Sequence, residues 1–301
     1  MSSFPVPVPA PLQLGALRAG LMLSAWLAPR HAAGWAARLF ATPSPRARRV
    51  PEGGGAQQGR LEVLGETVAT YVWGDPGTQP YVLLAHGWSS HGLCFRPWVD
   101  GLRAQGYAVV AFDQPGHGRS TGAHCSLPEF VATIRAVGAV YGPAALAIGH
   151  SLGGAALTLA QDETWQAQRL ILVAPPADLS EVVGRHLRRL WLRESLRPAC
   201  TDWLLRRTGV GIETLDIHRR LPALGQPALI VHDLDDRQVP WSEGEYYAHR
   251  LPGARLLSTQ GLGHRRLLDD PDTIAAALAF ARGEAVGSRV IGSPELSLGF
   301  V

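Results

Sequence analysis

From Arg60 onward the chain alternates short apolar runs with stretches whose apolar residues recur at helical spacing. RLEVLGE and VATYVWG predict two strands joined as a hairpin near Gly65. YVLLAH, at 81–86, is a continuous apolar run ended by Gly87, the pattern of a strand buried on both faces. A helix is predicted over 95–105, then a strand over 107–113 (YAVVAFD). Residues 127–140 have helical spacing, with Ser126 as the expected cap. AALAIGH (144–150) is another buried strand and runs directly into a small-residue helix from Leu152. RLILVAP (169–175) and PALIVHD (227–233) continue the series, ARLLSTQ (254–260) is a weaker last strand, and a helix follows near 272–282. Such an order predicts an α/β fold, with a mostly parallel central sheet, helices on both faces, and chemistry on loops at the carboxyl ends of strands.

Two regions depart from the alternation. Residues 176–226 hold LSEVVGRHLRRLWLRESL and ACTDWLLRRTG, two amphipathic helical patterns rich in Leu, Trp and Arg. A long insertion between core strands is expected to be a helical lid, the plainer alternative being two extra surface helices. The N-terminal region, 1–59, begins with a Pro-rich stretch expected to be extended or disordered, continues as a helical pattern over 12–40 broken near Pro29, and ends in a Pro/Arg/Gly-rich linker. For 12–40 three readings compete. A secretory signal lacks a positive charge before its apolar run, and a spanning helix is interrupted by Arg18. The third, an arm packed on the body or lying on a membrane surface, is the expectation adopted, with a cytoplasmic location. The domain layout expected is therefore 1–59 arm and linker, 60–175 with 227–284 core, 176–226 lid, and 285–301 tail.

Charge sharpens this division. The net charge is +3, yet residues 1–60 carry seven Arg against Glu52, so that segment is +6 and the remainder −3. The basic character belongs to the N-terminus, and without interleaved aromatics it gives no support for nucleic-acid binding. Cys94, Cys125 and Cys200 are too few and wrongly spaced for a disulfide framework or paired-Cys zinc site, so free thiols are expected. No H-E-x-x-H is present, and no G-x-G-x-x-G follows an early strand with an acid about twenty positions on. No metal and no cofactor is expected.

The candidate chemistry sits on three strand ends. Gly149-His150-Ser151-Leu152-Gly153 lies between a strand and a helix, where a nucleophilic serine on a strained turn needs small neighbours. His86-Gly87-Trp88 directly follows the strand at 81–86. Acyl transfer needs two backbone N–H donors aimed at the developing oxyanion, and Trp88 and Leu152 are placed to supply them. His86 is expected to order its loop and to take no part in proton transfer. Acid and base should follow the serine along the chain. Asp233, Asp235 and Asp236 end one strand, and His264 lies on a glycine-flanked loop after the last. His264 would take the proton from Ser151 and return it to the leaving group, while one aspartate holds the imidazole in the required tautomer.

With these motifs in place, residues from about 60 to 283 resemble the α/β-hydrolase superfamily, in the branch with an HG-x oxyanion loop and a helical lid. His232-Asp233-Leu234-Asp235-Asp236-Arg237-Gln238-Val239-Pro240 is similar to the family's H-G-x-x-D-x-x-V-P, with Asp233 in place of the glycine. That register implies Asp236 as the acid and leaves Asp235 as the alternative. Asp113, Pro115, Gly116, Gly118 and Ser120 match the family's D-x-P-G-x-G-x-S, which shapes a turn beside the site and implies no catalytic role for His117. The resemblance implies a serine hydrolase, carboxylic esters being the default substrate and the apolar lid suggesting a lipid-like one. Thioesterase, lactonase or other acyl hydrolase, and a non-catalytic interaction protein on the same scaffold, are the alternatives. Oligomeric state is not legible.

Overall fold

A computed structural model of the chain describes residues 11–211 and 214–289. All but Pro11 of the expected Pro-rich opening (1–11) and most of the expected tail fall outside these residues.

A nine-stranded sheet with the order β1-β2-β4-β3-β5-β6-β7-β8-β9 organises the described residues. β1 (Gln57–Val63) and β2 (Glu66–Trp73) form the predicted hairpin, which joins the sheet antiparallel through β2 and β4 (Ala108–Phe112). From β4 the strands run parallel through β3 (Tyr81–Ala85), β5 (Leu146–His150), β6 (Leu170–Val173), β7 (Ala228–Asp233) and β8 (Arg255–Thr259). Every residue of β3 to β7 is buried. The absence of period-two alternation in those runs follows directly, since both faces are covered. One core lies on each side. α4 (Leu127–Tyr141) and α5 (Leu152–Ala160) contribute Phe130, Ile134 and Leu157 to the first, while α3 (Arg96–Ala104) and α11 (Pro271–Ala281) contribute Trp98, Leu102 and Phe280 to the second.

Chain order reverses across the sheet between β3 and β5, because β4 lies on one side of β3 and β5 on the other. Ligands of open α/β sheets bind in the crevice at such a switch point. Here it is bordered by the ends of the strands that lead into Gly87 and Ser151.

Several boundaries differ from the sequence expectation. β1 starts at Gln57, inside the expected linker, because its partners Val72 and Tyr71 on β2 extend the ladder. The short β9 (Ser288–Arg289) pairs antiparallel with β8 in the expected tail. The single-turn helices α8 (Ile217–Arg220) and α10 (Gly263–Arg266) and the longer α9 (Trp241–Arg250) were not predicted; the buried face of α9 includes only Glu243, Gly244, Tyr247 and Ala248, too few apolar positions to signal a helix. Ser126 occupies the first cap of α4, but its hydroxyl donates to Glu129 Oε2 (2.5 Å) and leaves the helix backbone uncapped.

In the N-terminal region the helix breaks as expected, α1 (Pro11–Leu27) ending before α2 (Pro29–Phe40), with Ala28 between them in a non-helical conformation (φ −147°, ψ 72°). The buried Ala32, Ala33, Ala36 and Ala37 recur on one face of α2 and pack on α6 (Leu179–Arg189) and α7 (Arg197–Thr208). The segment after α2 is stitched to the body rather than loose. Ala41 C=O accepts from Cys125 N–H (2.8 Å), Ala47 C=O from Gly118 N–H (2.9 Å), and Arg48 donates to Ser120 and Gly122 carbonyls (2.5 and 2.6 Å). No helix among the described residues is long and apolar enough to cross a membrane.

Candidate active site

Ser151 sits between β5 and α5 with φ +52° and ψ −126°, a conformation that non-glycine residues adopt at a cost of order 1–3 kcal/mol. Its N–H donates to Val173 C=O (2.8 Å), and its C=O accepts from Gly154 N–H (2.8 Å), so the turn is held on both sides. The flanking glycines have a steric reason. A Cβ on Gly149 would lie 2.7 Å from Gly154 N, and one on Gly153 would collide with the carbonyl oxygens of Ala85 and His86. Those contacts bring the start of α5 against the end of β3, and hence the serine against the loop that follows.

That loop is set by His86, which is fully buried. Gln114 N–H donates to its Nε2 (2.9 Å), which leaves Nδ1–H to donate to Gly87 C=O (2.7 Å). A trans peptide points its C=O and N–H in opposite directions, so fixing Gly87 O also fixes the direction of Trp88 N–H. Among the described residues neither Trp88 N–H nor Leu152 N–H has a hydrogen-bond acceptor. Burial lowers the His86 pKa to about 4, so the ring is neutral near pH 7 and keeps this donor–acceptor pattern. His117 braces the next residue: its Nε2 accepts from Ser89 N–H (3.1 Å), where the backbone is left-handed at φ +54°.

Of the three aspartates, Asp236 is the one against His264. His264 Nδ1–H donates to Asp236 Oδ2 (2.6 Å), while Oδ1 accepts from Gln238 N–H (2.8 Å) and Val239 N–H (3.0 Å). Burial alone would raise the Asp236 pKa, but hydrogen bonds from His232 and His264 outweigh it and hold the carboxyl well below its ordinary range. Asp235, the alternative register, instead accepts from Gly261 N–H (3.0 Å). Asp233 accepts from Thr259 Oγ1 (2.7 Å), Leu262 N–H (3.0 Å) and Gly263 N–H (2.9 Å), and so ties down the loop carrying His264. Its presence where the family pattern has glycine thus has a structural role.

Sequence reasoning passed over His150, which lies inside the serine motif. Its Nε2–H donates to the backbone carbonyl of His264 (2.8 Å), linking the serine turn to the histidine loop. Burial lowers its pKa to about 3, which keeps the link uncharged. Glu243, on the unpredicted α9, was also missed. It accepts from Ala177 N–H (2.7 Å) and Arg185 Nη1 (2.7 Å), anchoring the chain where it enters 176–226. A buried glutamate paired across 58 residues leaves no local sequence signal.

Ser151, His264, Trp88 and Leu152 line one cavity of about 220 Å³. Its walls are mainly apolar, with α6 and α7 supplying Leu179, Val182 and Leu204. No group of three or more His, Cys, Asp or Glu able to hold a metal occurs among the described residues.

Comparison with known proteins agrees with this architecture. Residues 77–210 match the family described as Serine aminopeptidase, S33. The chain is 31% identical over 247 residues to the pimeloyl-[acyl-carrier protein] methyl ester esterase of Xanthomonas campestris pv. campestris, covering 67% of this chain and 94% of that protein. The same enzyme of Stenotrophomonas maltophilia is 29% identical over 244 residues, covering 67% and 92%. Among solved structures, the thioesterase domain from the curacin biosynthetic pathway superposes with a TM-score of 0.58 at 21% identity, covering 76% of this chain and all of that one. An esterase from Exiguobacterium antarcticum superposes at 0.59 and 16% identity, covering 75% and 100%. Sheet order, strained serine turn and these relatives together place the chain in the α/β-hydrolase superfamily, to which it belongs as a serine hydrolase.

Proposed function

We propose that this hydrolase cleaves carboxylic esters through an acyl-enzyme on Ser151. The observation that carries the reading is the convergence of Ser151, the His264–Asp236 pair and the unpaired N–H groups of Trp88 and Leu152 on one apolar cavity. Ser151 Oγ attacks the ester carbonyl as His264 Nε2 takes its proton. The carbonyl oxygen becomes an oxyanion, which accepts from Trp88 and Leu152 N–H; each such donor is worth about 3 kcal/mol in the transition state. His264 returns the proton to the departing alkoxide, and a water activated by the same nitrogen then hydrolyses the acyl-enzyme. Asp236 keeps the proton on Nδ1, so that Nε2 is free to accept.

The esterase named for the Xanthomonas and Stenotrophomonas relatives acts on a methyl ester, and the apolar walls of this cavity suit an aliphatic acyl group. Residues 176–226 act as a lid over it, on a 60–175 and 227–284 core. A membrane-surface contact through the N-terminal arm is the finer part of the proposal. Met22, Leu23, Trp26, Leu27 and Trp35 are exposed on α1 and α2, which carry Arg18, Arg30 and Arg38 and no acidic residue. Co-sedimentation with anionic but not zwitterionic vesicles is the expected result; no binding to either removes this part.

The activity itself is tested by comparing wild type and Ser151→Ala on p-nitrophenyl esters from acetyl to palmitoyl, with matched thioesters and lactones. Ester turnover abolished in the variant supports the reading. Preference for thioesters or lactones would move the substrate class, and no turnover of any would favour an interaction protein on this scaffold.

A further inference from the structure

The cavity is not closed by the core and the 176–226 insertion alone. Leu39 and Phe40, the last two residues of α2, also line it, although they lie well before the family match begins at residue 77. The Phe40 ring stacks on Trp88 (centroids 6.4 Å, planes 15° apart) and meets His186 of α6 edge-on at 5.2 Å. It therefore stands between the loop carrying an unpaired N–H and the first helix of the insertion.

Bonds on either side hold it there. His186 Nε2–H donates to Ala36 C=O (2.9 Å), and Ser44 N–H donates to Ser89 Oγ (2.9 Å). Cys125 N–H donates to Ala41 C=O (2.8 Å), fixing the residue immediately after Phe40. A side chain that faces the cavity from a segment whose backbone is anchored to three separate parts of the body is a wall rather than a passing contact. With α2 in place, the apolar space beside Trp88 ends at an aromatic ring.

We propose that Phe40 is a specificity-determining residue: it closes the acyl subsite and sets the length of aliphatic chain that fits beside Trp88. The claim deepens the ester-hydrolase reading and assigns the N-terminal arm a part in the active site. A methylene gained or lost in an apolar pocket changes kcat/KM by roughly tenfold or more. Removing the ring should favour longer chains, and enlarging it should favour shorter ones.

The test uses full-length Phe40→Ala and Phe40→Trp. With p-nitrophenyl esters, the ratio of kcat/KM for dodecanoate over butanoate should rise by about tenfold in Phe40→Ala and fall in Phe40→Trp. Opposite shifts from one position cannot arise from general loss of folding. If Phe40→Ala melts below the assay temperature, Phe40→Leu takes its place. Calorimetric titration with fatty acids of graded length provides a readout that does not need turnover. A length preference in binding that moves with Phe40 supports the proposal even if no ester is cleaved, which would sink the esterase reading alone. Unchanged ester and fatty-acid profiles in folded variants would overturn the role of Phe40 and leave the esterase reading standing.

Discussion

Asp236→Asn isolates the part of the proposed mechanism that depends on a single proton position. Oδ1 of Asp236 accepts two backbone N–H groups, from Gln238 and Val239, whereas Oδ2 accepts from His264 Nδ1. An asparagine here has only one acceptor oxygen. Turning it toward the two N–H donors keeps both bonds, whereas the opposite flip sets an NH₂ against them and leaves both unpaired in a buried site, at about 1–3 kcal/mol each. The side-chain NH₂ must therefore face His264. It can only donate, so His264 Nδ1 becomes the acceptor and the ring proton moves to Nε2. In that tautomer Nε2 cannot take the proton of Ser151. The expected loss in kcat is about 10⁴-fold, equivalent to about 5 kcal/mol of barrier. KM should change little, because the substitution leaves the cavity walls intact. The melting temperature should fall, because the fold favours the ionised carboxylate and the asparagine gives up that charge and the contact with His232 Nε2. The variant should stay folded at the assay temperature, since it keeps the backbone bonds and loses no volume. Steady-state kinetics on the best p-nitrophenyl ester, with a thermal melt of the same sample, separates the two effects. A variant retaining more than a tenth of wild-type kcat would refute the reasoning about tautomer control.

Other expectations follow from the same contacts. His86→Leu frees the Gly87–Trp88 peptide to rotate and should lower kcat by about 10²–10³-fold with a smaller change in KM, while leaving Gln114 N–H unpaired at a cost of about 1–3 kcal/mol in a urea melt. Gly153→Ala drives a methyl group into two backbone carbonyls and should destabilise the fold by about 1–3 kcal/mol or prevent soluble expression; a wild-type melt would count against the close approach of α5 and β3. Acid should destabilise the protein above the carboxylate range. Burial depresses the folded-state pKa of His86 to about 4, so as pH falls below about 6.5 the unfolded chain takes up the proton first. Stability is then full above that point and declines toward pH 4, by about 3 kcal/mol from His86 alone. Denaturant melts at pH 7.5 and 5 check this, and equal stabilities would contradict a neutral buried His86.

The core of this architecture was legible because its signals are local. β3 to β7 are buried on both faces and so appear as apolar runs, and the glycines around Ser151 form a compact local motif. Only Gly149 is demanded by near neighbours, whereas Gly153 is demanded by the distant carbonyls of Ala85 and His86. The order of serine, acid and base along the chain narrowed the acid to three neighbouring aspartates. Their separate roles needed the folded loop: Asp236 turns toward His264, while Asp233 and Asp235 bind backbone N–H groups of 261–263. What stayed hidden depends on partners far away in sequence. α9 shows few apolar positions because its buried face includes Glu243, which anchors Ala177 and Arg185. Ser126 looks like a helix cap but is drawn to Glu129 and is also approached by Arg207 Nη2, at 3.0 Å from α7. The end of the N-terminal arm offers no motif, since Leu39 and Phe40 acquire meaning only beside Trp88 and the insertion.

The central claim, that Ser151 is the nucleophile, is tested most directly by reacting the full-length protein with an alkyl fluorophosphonate and locating the adduct by peptide mass spectrometry. One phosphonyl group on Ser151, prevented in Ser151→Ala and slowed strongly in Asp236→Asn, is the predicted result. Labelling on another residue, or none on a folded sample, would contradict it.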